Sequence, residues 1–218
     1  MYKVIVLGLV FSLVLQGTEA KYLDISHHTN TQFVSSETVI PSDSSHPTKI
    51  RPVQDRKWTT KYDAYFKKYT KQYFSIEVDW LWFKSQSIAE SALNEDAESW
   101  CKAKGLMQLM PATFAEVVKK DKSIPNFLSN PNSNIAAGIY YDRQLWNSWK
   151  VERPFNDRMA FTFASYNAGI GNILKAQKIC NSNRWKDIVQ VASKVTSWKC
   201  SETIGYVKRI FGFMNESV

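Results

Sequence analysis

The segment Val78–Leu93 constrains this chain more than any other, because it reads as a helix that is apolar on two sides. Leu81, Ser85, Ile88 and Ala92 fall on one stripe at helical spacing, and Trp82, Phe83 and Leu93 lie toward the opposite side. A helix of that kind is usually buried, so the fold has to cover it on both sides. Glu90 falls on the second side, with Phe83 two turns and Gln86 one turn before it on roughly the same face. A carboxyl among apolar rings resists ionising. The helix ends near Asn94, and its negative C-terminal end pushes the same way. Both effects hold a proton on Glu90 closer to neutral pH, as a general acid requires. Taken alone, a surface or salt-bridged glutamate is the commoner fate of a helical Glu.

The rest of the chain divides by texture. Met1–Ala20 reads as a signal peptide: Lys3 opens it, Val4–Leu15 is a short apolar run, and Thr18-Glu19-Ala20 places small residues at a cleavage site. The run is too short to span a bilayer comfortably, an uncleaved anchor being the alternative. No later run is long and apolar enough to span a membrane. The expectation is export to the periplasm or the extracellular space. Residues 21–56, rich in Ser, Thr, Asp and Pro, read as a disordered linker that cannot bury enough apolar surface to offset its ordering entropy. From Trp58 aromatics become dense at helical spacing, and residues 57–218 fit one domain with one core.

Charge and histidine usage narrow the chemistry. The formal charge of +8 survives removal of the leader, whose Lys3 and Glu19 cancel. A basic exported protein suits an anionic polymer such as a cell wall. Nucleic acid is the usual rival, but the basic residues are scattered and no nucleic-acid motif occurs. His27, His28 and His46 all lie in the linker, so the folded domain has no histidine. That removes Ser-His-Asp and Cys-His catalysis, HExxH zinc sites and most catalytic zinc sets. No metal or cofactor is expected, and carboxylates remain as the acid–base groups. Cys180 and Cys200 flank a polar stretch with one short helix, and an exported protein can link them. Such a bridge would stabilise the fold by ~3 kcal/mol in the chain-entropy model. Cys101 would lie outside it, buried against the loop that follows Glu90.

Four motifs in order give the chain a resemblance. Ile88-Ala89-Glu90-Ser91 is followed by Ser99-Trp100-Cys101-Lys102-Ala103-Lys104-Gly105-Leu106-Met107-Gln108, then by Ser165-Tyr166-Asn167-Ala168-Gly169 and by Glu202-Thr203-Ile204-Gly205-Tyr206-Val207. Together they resemble the soluble lytic transglycosylase family, which shares the goose-type lysozyme fold and cleaves the glycan strands of bacterial peptidoglycan. The likeness runs from about Tyr62 to Gly212 and includes Asn134-Ile135-Ala136-Ala137-Gly138, where Gly138 allows close packing. It implies an all-α, lysozyme-like single globular domain with a deep glycan-binding cleft and little or no β structure.

The resemblance also implies roles. Glu90 is the acid, and Ser99, Met107 and Gln108 line the cleft around it, Met107 as a soft apolar wall with plain core as the alternative. Gln108 can bond to sugar amide or hydroxyl groups. Tyr166 resembles the tyrosine that faces the acid, where its phenol can bond the carboxyl and its ring excludes water. Asn167 resembles the residue that holds the sugar or the local backbone, and Gly169 suits a left-handed helix cap. Tyr206 is the second aromatic of the cleft, and Glu202 is chiefly structural. Two departures stand out: Ser165 replaces an alanine, and Lys102 replaces a glycine, at about 1 kcal/mol if φ is positive there. Lys102 is also long enough to reach an anionic substituent on the glycan.

The expected reaction is non-hydrolytic cleavage between N-acetylmuramic acid and N-acetylglucosamine, closing a 1,6-anhydro ring with Glu90 as the only acid and base. A hydrolytic muramidase is the alternative, since Glu95, Asp96 and Glu98 follow the acid and can position water. A non-catalytic wall-binding module is a third reading. The partners implied are peptidoglycan strands and, at a further remove, cell-envelope machinery.

Overall fold

A computed structural model describes residues 51–76 and 78–218. The expected leader and all but the end of the expected linker lie outside the described residues. Residues 51–56, read as linker, belong to the folded unit instead. Pro52–Gln54 form a single 3-10 turn, Val53 is fully buried, and Arg51 pairs with Asp79. One apolar residue and one ion pair anchor a stretch whose composition alone looks unstructured.

Among the described residues the structure is helical, with eight α-helices and only isolated β-bridges. The first, α1 (Asp63–Phe74), leads into α2 (Leu81–Ser91), the helix that carries Glu90. A long loop joins it to α3 (Pro111–Lys120) and then α4 (Pro131–Ser148). The chain continues through α5 (Phe155–Ala168), α6 (Ile170–Cys180), α7 (Trp185–Val191) and α8 (Cys200–Met214). None of these is long and apolar enough to cross a membrane.

The helix expected over Val78–Leu93 is shorter at both ends for local reasons. The Asp79 carboxylate accepts the Leu81 N–H at 3.0 Å, which marks the first turn. At the other end Ala92 and Leu93 take φ of 54° and 60°, and the Ala92 N–H closes back on Ile88. Every residue of α2 is buried, as its two apolar sides require. It is covered by α1, by α8 and by the turn at Pro52–Gln54. α5 is the other buried axis, packed against α4, α6, α7 and α8. Rings join the two. Phe83 lies 4.9 Å from Phe74 and 6.4 Å from Phe163, and Trp82 lies 4.8 Å from Phe211 and 6.1 Å from Phe163. Edge-on and tilted pairs of this kind add about 0.5–1.5 kcal/mol each beyond their area.

α2 also buries a charge. Lys84 is 3% exposed, and its Nζ sits 2.7 Å from Asp63 Oδ1, in the first turn of α1 where an anion is favoured. Removing one partner of such a pair strands the other. Asp63→Ala should therefore cost about 3–5 kcal/mol in urea denaturation, whereas breaking an exposed pair such as Lys61–Glu95 should leave the curve nearly unchanged.

The expected Cys180–Cys200 bridge is absent. Cys180 ends α6, and its thiol turns back toward the Gln177 carbonyl at 3.7 Å, while Cys200 opens α8. Cys101 is half-buried rather than buried, with its sulfur 3.1 Å from Ser99 Oγ.

Candidate active site

Glu90 occupies the last turn of α2, and its carboxyl is 2% exposed. Oε1 accepts a hydrogen bond from the Tyr206 hydroxyl at 2.6 Å. Oε2 is buried with no hydrogen-bond partner among the described residues. Burial pushes the carboxyl up to about 8, and Glu202 adds to the rise. The Tyr206 bond and the positive charge of Arg209 offset it only in part. Because Tyr206 donates to Oε1, the proton that Glu90 keeps belongs on Oε2, the oxygen left open. Tyr206 stays a donor, since burial and the neighbouring Glu90 hold its own proton well above the ordinary phenol range.

The loop between α2 and α3 frames this carboxyl. It turns tightly, with φ of 72° at Lys102, 74° at Gly105 and 45° at Gln108. Lysine thus stands in the left-handed position where the resemblance has glycine, and its amine pairs with Glu98 at 3.1 Å. Ser87 and Ser91 of α2 both donate to the Leu106 carbonyl at 2.9 Å, tying the loop to the helix of the acid. Asn134 of α4 ties the other side. Its Oδ1 accepts the Met107 N–H at 2.8 Å, and its Nδ2 donates to the Lys104 and Leu128 carbonyls. Gly105 must be glycine for this contact, because a Cβ there would come within 2.6 Å of Asn134 Nδ2.

The residues expected to line a cleft are placed as follows. Ser99 braces the loop: its hydroxyl accepts the Ala103 N–H at 2.9 Å. Met107 is fully buried against α4, where a Cβ on Gly138 would meet its side chain at 2.7 Å, so it is core and not a cleft wall. Gln108 donates its amide to the Ala97 and Gly105 carbonyls at 3.0 and 2.9 Å, which commits that nitrogen to the loop. Tyr166 does not bond the acid. Its hydroxyl donates to the Met107 carbonyl at 2.8 Å, and Tyr206 takes the carboxyl instead. Asn167 accepts from the Thr203 hydroxyl at 2.8 Å, which joins α5 to α8. Both residues line a small pocket with Trp198, Asn172, Ser197 and Glu202. Gly169 separates α5 from α6 with φ 78° and ψ 136°, a positive-φ conformation open to glycine and not a left-handed helical cap.

Asp142 went unnoticed in the sequence. It is fully buried on α4, where Gln86 Nε2 donates to its Oδ1 at 3.3 Å. It stands at helical spacing from Ile135 and Ile139, so an acid on a core stripe was the available signal. Two of the acidic residues that follow Glu90 are engaged elsewhere. Glu95 pairs with Lys61 at 2.7 Å, and Glu98 pairs with Lys102 and Lys104 at 3.1 and 3.4 Å.

Known proteins share this arrangement of helices. A family model described as the transglycosylase SLT domain matches residues 65–189. Membrane-bound lytic murein transglycosylase F of Shewanella woodyi is 30% identical over 154 residues, covering 67% of this chain and 31% of that protein. The soluble lytic murein transglycosylase of Escherichia coli K12 is 31% identical over 163 residues, covering 73% of this chain and 23% of that protein. The chain therefore spans less than a third of the length of these relatives. Among solved structures, the 70 kDa soluble lytic transglycosylase of Escherichia coli superposes with a TM-score of 0.55 at 26% identity, over 73% of this chain and 25% of that one. An inactive mutant of the lytic transglycosylase Slt from Pseudomonas aeruginosa gives 0.58 at 25% identity, over 72% of this chain and 24% of that one.

Proposed function

Because this chain belongs to the transglycosylase SLT domain family, we propose that it cleaves the β-1,4 bond between N-acetylmuramic acid and N-acetylglucosamine in peptidoglycan, with Glu90 as both acid and base. The observation that carries this reading is the asymmetric carboxyl of Glu90: one oxygen is held by Tyr206, and the other is buried, unpaired and able to carry a proton near neutral pH.

The chemistry follows from that asymmetry. Glu90 Oε2 gives its proton to the glycosidic oxygen as the bond breaks, and the sugar passes through an oxocarbenium-like state. The Tyr206 hydroxyl and the Arg209 charge stabilise the carboxylate that forms. Glu90 then takes the proton of the C6 hydroxyl on the same muramic residue, and that oxygen closes on C1 to give a 1,6-anhydro ring. Attack from within one residue has an effective concentration on the order of 10⁵ M or more when well oriented, so no second carboxylate is required.

The hydrolytic alternative needs a group that positions water. Glu95 and Glu98 are engaged with lysines, which leaves Asp96 as the one acid of that loop without an ion pair among the described residues and favours the transglycosylase reading. The leader at residues 1–20 and the polar stretch that follows it would carry the catalytic domain out to the wall, where its positive charge suits an anionic polymer. Envelope machinery that needs a local gap in the wall is a natural associate. Mass spectrometry of digested wall tests the reaction: the fragments should carry 1,6-anhydromuramic ends, and reducing ends alone would make the enzyme a hydrolase.

A further inference from the structure

Two buried oxygens, one on α2 and one on α4, lack hydrogen-bond partners among the described residues. Gln86 and Asp142 are joined by a single bond, Gln86 Nε2 to Asp142 Oδ1 at 3.3 Å. The other oxygen of each, Gln86 Oε1 and Asp142 Oδ2, is buried and unpaired. Two acceptors cannot satisfy one another, but a carboxylic acid carries an O–H donor. A proton on Asp142 Oδ2 would serve both orphans at once. We propose that Asp142 and Gln86 form a neutral acid–amide pair, with Asp142 Oδ2–H donating to Gln86 Oε1, and that this pair is a positioning element beneath Glu90.

The surroundings favour a proton over a charge. Asp142 is fully buried, and among the described residues no cation pairs with it. An isolated carboxylate in such a place neutralises instead of staying charged. The titratable groups that act on it or on which it acts are Glu90 from α2, Tyr166 from α5, Tyr206 from α8 and Tyr141 beside it on α4. All are acids or phenols. Burial first, and Glu90 second, push the Asp142 carboxyl well above the usual carboxylate range, against the Gln86 bond.

The consequence for the site rests on reading Glu90 as the acid. Gln86 lies one helical turn before Glu90 on roughly the same face, and Asp142 is close enough to Glu90 for the two carboxyls to act on each other. Glu90 must become an anion midway through the reaction. A neutral Asp142 permits that, while an ionised one would set two carboxylates against each other. The neutral pair adds no charge of its own, so burial, Tyr206, Arg209 and Glu202 set the proton affinity of Glu90.

Infrared spectroscopy of the full chain tests the proton without using catalysis. At pH 7 a Glu90→Gln protein should show the C=O stretch of a protonated carboxylic acid, and Glu90→Gln with Asp142→Asn should lose it. Identical spectra in that region would overturn the proposal, whatever the enzyme does to cell wall. Melting gives a second readout. Asn at position 142 can donate to Gln86 Oε1 and accept from Nε2, so Asp142→Asn should melt close to the wild type and Asp142→Leu well below it. Equal melting of the two variants would contradict the pairing. In lysis assays the alkaline limb of Asp142→Asn should stay within about half a pH unit of the wild type. A fall of a unit or more would mean that a negative charge had been removed, and would refute a neutral Asp142.

Discussion

Glu90→Gln is expected to abolish wall lysis while sparing the fold and glycan binding. The substitution keeps the shape of the side chain, and its amide oxygen can still accept from Tyr206, as Oε1 does now. What it removes is the proton on Oε2 and the carboxylate that would later recover one. General acid–base catalysis by a positioned side chain contributes about 10²–10⁴-fold. Here one residue serves both half-reactions, so the loss should reach at least about 10³-fold. Turbidity clearing of purified wall measures the rate, and a pull-down on the same wall measures binding. Lysis within tenfold of the wild type would remove Glu90 from the mechanism. Loss of binding together with lysis would point to a damaged fold.

Glu90 and the helix under it were legible because periodicity reports burial. A stretch apolar on two sides has to be covered, and a glutamate on such a stretch has to be handled by its environment. The order of the motifs carried the fold class. Contacts between distant helices were not legible. Tyr166 and Tyr206 reach the site from α5 and α8, and only packing decides which phenol meets the carboxyl. The resemblance of the motifs implies that Ser99 and Gln108 line the cleft around the acid. The loop folds with positive φ at Lys102, Gly105 and Gln108, and its turned backbone takes up their hydrogen bonds. Met107 followed the position of α4, where Gly138 makes room for it. Asp142 carries no signal of its role in the sequence, because an acid on an apolar stripe has meaning only with Gln86 opposite it.

Stability should also depend on pH in a direction set by Glu90. Its carboxyl is raised from an ordinary 4.5 to about 8 in the folded chain, with burial as the leading cause. The folded state therefore holds a proton that the unfolded chain has released. That contribution is complete below the unfolded value of 4.5 and is lost as pH rises toward the folded value of about 8. A tenfold difference in proton affinity is about 1.4 kcal/mol, so the loss is on the order of several kcal/mol. Urea denaturation of the wild type should weaken between pH 5 and 8.5, and Glu90→Gln should weaken much less. Asp142 is raised in the same direction but is present in both proteins, so the difference between them isolates Glu90. Parallel curves for the two would mean that the buried carboxyl is already ionised at pH 5.

The proton itself can be followed. In protein carrying carbon-13 at its glutamate carboxyls, the Glu90 signal, assigned by its absence from Glu90→Gln, should titrate with a midpoint near 8. A midpoint near the ordinary 4.5 would leave no proton on Oε2 at neutral pH and would contradict Glu90 as the acid.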